Sequence, residues 1–342
     1  MADTTVIQIP VVPAVALPLR RPAGQMIVIA IVVCVFALMP LIAAWSGKQG
    51  YVTLFSRIMI YALAALGLGL ILGFGALVSF GHALYIGIGA YAVGMLSSHG
   101  ITNGFAHLGA ALAVGALAST LIGWICLRVS GVGFIMITLA FAQMFYYFAI
   151  GLKPYGGDDG LQIAARSNFG VLNIANNTAL YYVIFVVLML TLFLLHRLVG
   201  SRFGMLLRGS KSNERRMLAL GFPTLRYKLL AYVISALICV LAGVLLANLF
   251  RFTSPSYMQW TVSGELIVMV VLGGLGTLLG PVIGASVWLL LEELLTSMRL
   301  GLPWGLDDAI RDHWMLGLGI FVLIVTLKLQ QGIYGWFLER RT

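Results

Sequence analysis

The chain has 342 residues, of which 61% are hydrophobic and 9% charged, with a formal net charge of +10 and a mean hydropathy of +1.02. Soluble domains carry about 25% charged residues, so this chain lacks the polar surface to coat a water-soluble globule, and its composition places it in lipid. The basic excess lies in short loops beside apolar runs, which excludes the nucleic-acid binding that such a charge would suggest in a soluble chain.

Residues 1–25 hold Pro10, Pro13, Pro18 and Pro22 and read as a cytoplasmic, proline-rich tail without helix. The run after Arg20 and Arg21 is too long for a cleavable signal, and no small-residue cleavage site follows it. Residues 26–335 then read as one transmembrane domain. Nearly uncharged, continuous runs at 26–45, 54–72, 105–127, 132–150, 179–198, 229–250, 282–298 and 314–329 meet the roughly 20-residue requirement for a helix that crosses ~30 Å of hydrocarbon. They lack the short alternation of barrel strands. Two shorter or glycine-interrupted runs, 83–97 and 264–279, are counted as crossings or re-entrant segments. The fold class is thus an all-α polytopic membrane protein with about ten transmembrane or re-entrant helices.

Ten crossings from a cytoplasmic N-terminus put 14 of the 21 Lys and Arg inside and 7 outside, the sense that orients membrane proteins. In this topology residues 152–178 form an external loop, 199–228 a basic cytoplasmic loop and 336–342 a cytoplasmic C-terminus. An eight-crossing variant, with both short runs re-entrant, leaves the basic loop on the same side.

Within the first half, the stretch from Gly73 to Tyr91 interrupts an apolar run with glycines, Ser79 and His82, and Gly274-Leu-Gly276-Thr277 echoes its start, Gly73-Phe-Gly75-Ala76. Glycine-broken, polar backbone at membrane depth lines a cavity or is buried in protein. Ser79, Gly81, His82, Tyr85, Gly274 and Gly276 are therefore candidates for a translocation path, weighed against a chance match of glycine-rich spans. Glu265 joins them as an acid near the start of a membrane segment without a basic neighbour in sequence. Glu292 and Glu293 are expected to meet Arg299 or solvent. The spacings Gly69/Gly73, Gly276/Gly280 and Gly280/Gly284 read as packing seams.

Cys34, Cys126 and Cys239 stand singly in apolar runs and read as packing residues. His82, His99, His107, His196 and His313 have no zinc spacing, and no phosphate-binding glycine loop ends in Gly-Lys-Ser/Thr. No catalytic residue, metal or cofactor is expected, and ATP hydrolysis is expected in a separate subunit. Residues 153–177, with Gly156-Gly157-Asp158-Asp159-Gly160, read as a mobile, turn-rich external loop. From Asn213 to Leu220 the basic loop suits a short amphipathic helix with Met217, Leu218 and Leu220 apolar, ended by Gly221 and barred from continuing by Pro223. That compact design suits a groove of a cytoplasmic partner better than a loop resting on lipid headgroups.

These segments resemble the permeases of the branched-chain amino-acid class of ABC importers. Glu214-Arg-Arg-Met-Leu-Ala219-Leu220-Gly221-Phe222, followed by Lys228-Leu-Leu-Ala231-Tyr232, is similar to that family's cytoplasmic coupling segment. Leu77-Val78-Ser79-Phe80-Gly81-His82-Ala83 resembles its early signature, and Val271-Leu272-Gly273-Gly274-Leu275-Gly276-Thr277 its late one. The resemblance implies a type II-like ABC importer permease in a bacterial inner membrane, coupled to an ATPase through Asn213, Glu214, Ala219, Leu220, Gly221 and Lys228. It implies cytoplasmic ATPase subunits, a second related permease subunit and an external solute-binding protein as partners. Arg216 and Met217 stand where family coupling segments usually carry two alanines, which bears on the identity of the ATPase. Branched-chain amino acids are the substrate class implied, with urea or short amides as the alternative. A proton-coupled secondary transporter would need an ionisable relay, which Glu265, Glu292 and Glu293 hardly assemble. A membrane-embedded enzyme would need a convergent polar constellation that the sequence lacks.

Overall fold

A computed structural model describes residues 23–46, 50–170, 176–297, 314–328 and 332–339. Its helices are α1 (Ala23–Ser46), α2 (Gly50–Gly69), α3 (His82–Ser98), α4 (Gly104–Cys126), α5 (Val132–Gly151), α6 (Asn177–Gly200), α7 (Arg202–Ser212), α8 (Glu214–Ala219), α9 (Thr224–Phe250), α10 (Trp260–Gly273), α11 (Gly280–Ser297), α12 (Trp314–Lys328) and α13 (Gly332–Glu339). Among the described residues, each of the ten expected runs coincides with a helix. Five helical stretches among the described residues are long and apolar enough to cross a membrane: Gly50–Phe74, in which α2 continues through a π-helical turn, and α4, α5, α6 and α9.

Boundaries shift by a few residues, most at one run. The expected run 264–279 starts earlier, at Trp260, and stops at Gly273, because Gly274 and Gly276 take φ of 122° and 79°. Such angles end a right-handed helix and are open to glycine at no steric cost. The chain becomes helical again at Gly280. The basic loop also holds more helix than expected, α7 preceding the short α8.

Helices α3 and α9 form the centre, with α2 and α4 packed on α9. On the far side of α2 lie α10 and α11, covered in turn by α12 and α13, while α1 and α6 flank α2. The outward faces of α4, α5 and α6 keep Leu117, Phe148 and Val186 exposed, as lipid-facing helices do. In lipid no hydrophobic effect drives helices together, so close backbone approach through small residues does that work. Gly89 of α3 rests on the Val240 carbonyl and Gly243 of α9 on the Ile86 carbonyl, so the two central helices cross with backbones in contact. The three glycine spacings fall on such seams: a Cβ on Gly69 would meet Pro281, one on Gly73 the Gly276 backbone and one on Gly284 the Met269 carbonyl. Cys126 and Cys239 are buried among these helices, but Cys34 lies on an exposed face of α1 and does not pack a core.

Residues 152–170 are not a free loop. Leu161 and Gln162 pair with Thr253 and Phe252 as a two-residue antiparallel ladder. Arg166 Nε donates to the Asn248 carbonyl at 3.0 Å, and the Ser167 amide to Asn248 Oδ1 at 2.8 Å. His107, a structural histidine fully buried in α4, holds Ser167 Oγ at 2.7 Å and the Ile101 carbonyl at 2.8 Å. Burial, with Arg251 nearby, holds the Arg166 guanidinium below its usual pKa. The glycine and aspartate turns thus fold a cap onto α3, α4 and α9. The tail to residue 22, residues 171–175, Arg299 and His313 lie outside the described residues.

Because Gly243 admits no side chain against Ile86, Gly243→Ala should lower stability by about 1–3 kcal/mol, the usual range for overpacking. Gly109→Ala, at a position with nothing within 4 Å, should leave the thermal midpoint of the detergent-solubilised protein unchanged. Equal midpoints for the two variants would overturn the close α3–α9 crossing.

Candidate functional site

Two helix breaks meet inside the bundle. After Phe74 the chain leaves the helix through Ala76 at φ 54°, and it becomes helical again after Gly81, the N-cap of α3. The left-handed conformation costs a non-glycine residue roughly 1–2 kcal/mol. The Leu77 amide, the first freed by the break, donates to the Ile71 carbonyl at 3.0 Å. At the second break Thr277 Oγ1 donates to the Gly274 carbonyl at 2.8 Å and accepts from the Gly280 amide at 3.1 Å. A Cβ built on Gly73 would lie 2.8 Å from the Gly276 nitrogen, so the two echoing sequences touch. Lys211 Nζ on α7 donates to the Gly73 carbonyl at 2.8 Å, and Leu207 packs against Gly75. The basic loop therefore grips the break directly.

Three amides around the start of α3 find hydroxyls. Phe80 N–H donates to Thr138 Oγ1 of α5 at 3.2 Å, Gly81 N–H to Ser79 Oγ at 3.2 Å and Ala83 N–H to Ser263 Oγ of α10 at 2.9 Å. His82 bridges the same region, with Nδ1 2.9 Å from Ser79 Oγ and Nε2 2.9 Å from Ser235 Oγ. The Ser235 hydroxyl donates to the Gly67 carbonyl, so its oxygen accepts from His82 Nε2–H, leaving Nδ1 to accept from Ser79. Tyr85 donates to the Tyr232 hydroxyl at 3.1 Å. Ser79, His82 and Tyr85 are each 0% exposed, and a Cβ on Gly81 would meet Thr138. In this conformation these four expected path residues form a closed junction of α2, α3, α5, α9 and α10. Gly274 and Gly276 lie at the second break beside it.

Glu265 lies elsewhere, on a half-exposed stripe of α10. Near it, Arg57 of α2 pairs with Glu292 of α11, Nη2 to Oε1 at 2.9 Å. This corrects the reading that Glu292 meets Arg299 or solvent; Glu293 does face outward. Sequence reasoning missed the pair because its members stand 235 residues apart, although a lone cation in an apolar run was a usable signal. Glu265 is within electrostatic reach of both Arg57 and Glu292 and has no hydrogen bond or ion pair among the described residues.

The short helix of the basic loop is built by its own caps. Asn213 Oδ1 accepts from the Arg216 amide at 2.9 Å, starting α8. Gly221, at φ 82°, donates to the Leu218 carbonyl while Phe222 N–H reaches the Met217 carbonyl at 3.1 Å, closing it. Glu214 binds Lys228 Nζ at 2.7 Å and accepts from Thr224 Oγ1 at 3.2 Å, which ties α8 to the start of α9. Met217 turns in against Gly209, but Leu218, Leu220, Phe222 and Leu225 are 53%, 65%, 40% and 40% exposed. Ala219 is exposed too, and exposed Arg215, Arg216 and Arg226 flank these residues in sequence, so the tip of the segment is apolar with basic flanks. Among the described residues no group of three or more His, Cys, Asp or Glu could hold a metal.

Comparison with known proteins gives a family match. A family model described as branched-chain amino acid transport system, permease component, matches residues 50–326. The high-affinity branched-chain amino acid transport system permease protein LivM of Salmonella typhimurium is 26% identical over 324 residues, 87% of this chain and 73% of the relative. LivH of Escherichia coli is 25% identical over 283 residues, 78% of this chain and 89% of that protein. A probable LivM of Methanocaldococcus jannaschii is 23% identical over 318 residues, 80% and 90% of the two chains. No solved structure matches.

Removing one junction hydroxyl leaves a buried donor without its acceptor, at a cost of about 1–3 kcal/mol. Ser235→Ala should therefore lower the thermal midpoint clearly, whereas Ser98→Ala, at an exposed position, should not. A Ser235→Ala protein as stable as its parent would show that the His82 bridge is dispensable.

Proposed function

This chain belongs to the branched-chain amino acid transport permease family, and from that premise we propose that it is the membrane-spanning subunit of an ATP-binding-cassette importer for branched-chain amino acids. The observation that carries the coupling half of this reading is the apolar tip of α8, held at fixed geometry by Asn213, Gly221 and the Glu214–Lys228 pair. A rigid, exposed, capped helix with a greasy tip fits a hydrophobic groove on a soluble protein. The partner is a cytoplasmic ATPase subunit, and ATP hydrolysis takes place there. The relatives are named for branched-chain amino acids, which favours those solutes over urea or short amides.

Both termini face the cytoplasm of a bacterial inner membrane, a second related permease completes the membrane unit, and an external solute-binding protein delivers the solute. The cap of residues 152–170, hydrogen-bonded onto the outer helix ends, offers that protein a firm landing surface. Nucleotide-driven closure of the ATPase pushes α8. The push passes through Lys228 into α9 and through Lys211 into the break at Gly73, which separates the α2/α3 and α10/α11 elements and opens the path beside Ser79–Tyr85 and Glu265–Gly276.

Glu214→Ala removes the ion pair, and Gly221→Pro puts a residue of fixed negative φ where a positive one is required. Each should abolish amino-acid uptake by the reconstituted importer at unchanged membrane abundance, with ATP hydrolysis no longer stimulated by the loaded binding protein. Undiminished uptake in either variant would refute the coupling role. For the topology, a cysteine replacing exposed Asp159 should react with an impermeant thiol reagent in intact spheroplasts; reaction only after lysis would invert it.

A further inference from the structure

On α2, Leu54, Arg57 and Tyr61 form a half-open stripe at helical spacing, and beyond Tyr61 the helix is buried to its end. On α10 the matching stripe runs through Thr261, Glu265 and Val268. Together with Glu292 they place two carboxylates and one guanidinium within electrostatic reach of one another in segments that are otherwise apolar. An ionised side chain at membrane depth costs about 2.5–3.5 kcal/mol even on insertion scales, so such groups are paired or serve a path. The Arg57–Glu292 pair accounts for two of the three. It engages only Nη2 of the guanidinium among the described residues, leaving other donors open, and Glu265 stays without a partner among them.

What completes this arrangement is one cation for Glu265 and one anion for the open edge of Arg57. A molecule carrying both charges on neighbouring atoms supplies them together; an amine alone or a carboxylate alone supplies half. We propose that Arg57 and Glu265 form a transient zwitterion site, Arg57 taking the α-carboxylate and Glu265 the α-ammonium of an amino acid, with Glu292 fixing the guanidinium. Tyr61, whose ring lies 5.7 Å from the Arg57 guanidinium carbon, gives the side chain an apolar flank. The site lies between α2, α10 and α11, beside the closed junction that Ser263 of α10 joins. It rests on the importer reading and sharpens it, because urea and amides carry no such charges.

The test uses the assembled importer in membranes, with Cys34→Ser to silence the exposed thiol and Thr261→Cys as reporter one turn from Glu265. Leucine should slow modification of the introduced thiol by an impermeant cationic reagent about tenfold, the factor that corresponds to ~1.4 kcal/mol. Isoamylamine, with only the ammonium, and 4-methylvalerate, with only the carboxylate, should not slow it. Glu265→Gln, which breaks no ion pair, should abolish protection without shifting the thermal midpoint, and Arg57→Lys should abolish it while keeping the positive charge. The proposal falls if leucine gives no protection, if isoamylamine protects as well as leucine, or if protection survives Glu265→Gln. ATP-driven leucine uptake is measured in parallel: protection without uptake overturns the importer reading and leaves the site standing, while uptake without protection overturns the site alone.

Discussion

Within hydrocarbon a backbone amide or carbonyl without a partner costs several kcal/mol, and this constraint decides where the bundle may be broken. The chain leaves its helices twice at depth, at 75–81 and 274–279. Three amides around the start of α3 are taken up by hydroxyls, two of them from other helices, and the freed Gly73 carbonyl by a lysine of the basic loop. Each repair recruits a different element. The breaks are therefore the places where the fold is most densely cross-linked, and glycine there is the condition for close approach rather than a sign of looseness.

The cross-links also give the bundle a mechanical order. On α9, Lys228, Tyr232 and Ser235 stand at spacings of four and three and so share one face. Lys228 holds Glu214 of α8, Tyr232 accepts from Tyr85, and Ser235 accepts from His82. A single stripe of one helix thus joins Glu214 of α8 to His82 and Tyr85 of α3. A tilt of α9 must act on the hydrogen bonds of the junction, and a tilt of α7 on Gly73. No chain of loosely packed intermediates is needed between them.

Much of this was legible in sequence because it depends on local periodicity. Apolar runs marked the helices, and Asn213, Gly221 and Pro223 marked the start and stop of α8. The echo between Gly73-Phe-Gly75 and Gly274-Leu-Gly276 pointed at two segments that do touch. Three features escaped the sequence reading for physical reasons. The Arg57–Glu292 pair joins residues near opposite ends of the chain. The partners of the α3 amides are single hydroxyls, Thr138 and Ser263, that leave no pattern in an apolar helix. The cap at 152–170 looks mobile from its glycines and aspartates, since its order comes from Asn248 and Thr253, which lie far along the chain.

The greasy tip of α8 has a consequence for the life of the protein in the cell. Leu218, Leu220, Phe222 and Leu225 stand exposed among basic residues, in the loop that the proposed topology places in water. Contiguous apolar surface in water is a liability until something covers it. If the proposed ATPase covers that tip, a chain made in excess of this partner would present it to chaperones and membrane proteases, and the patch would mark unassembled copies for removal. The balance between the two subunits would then rest on the same few side chains.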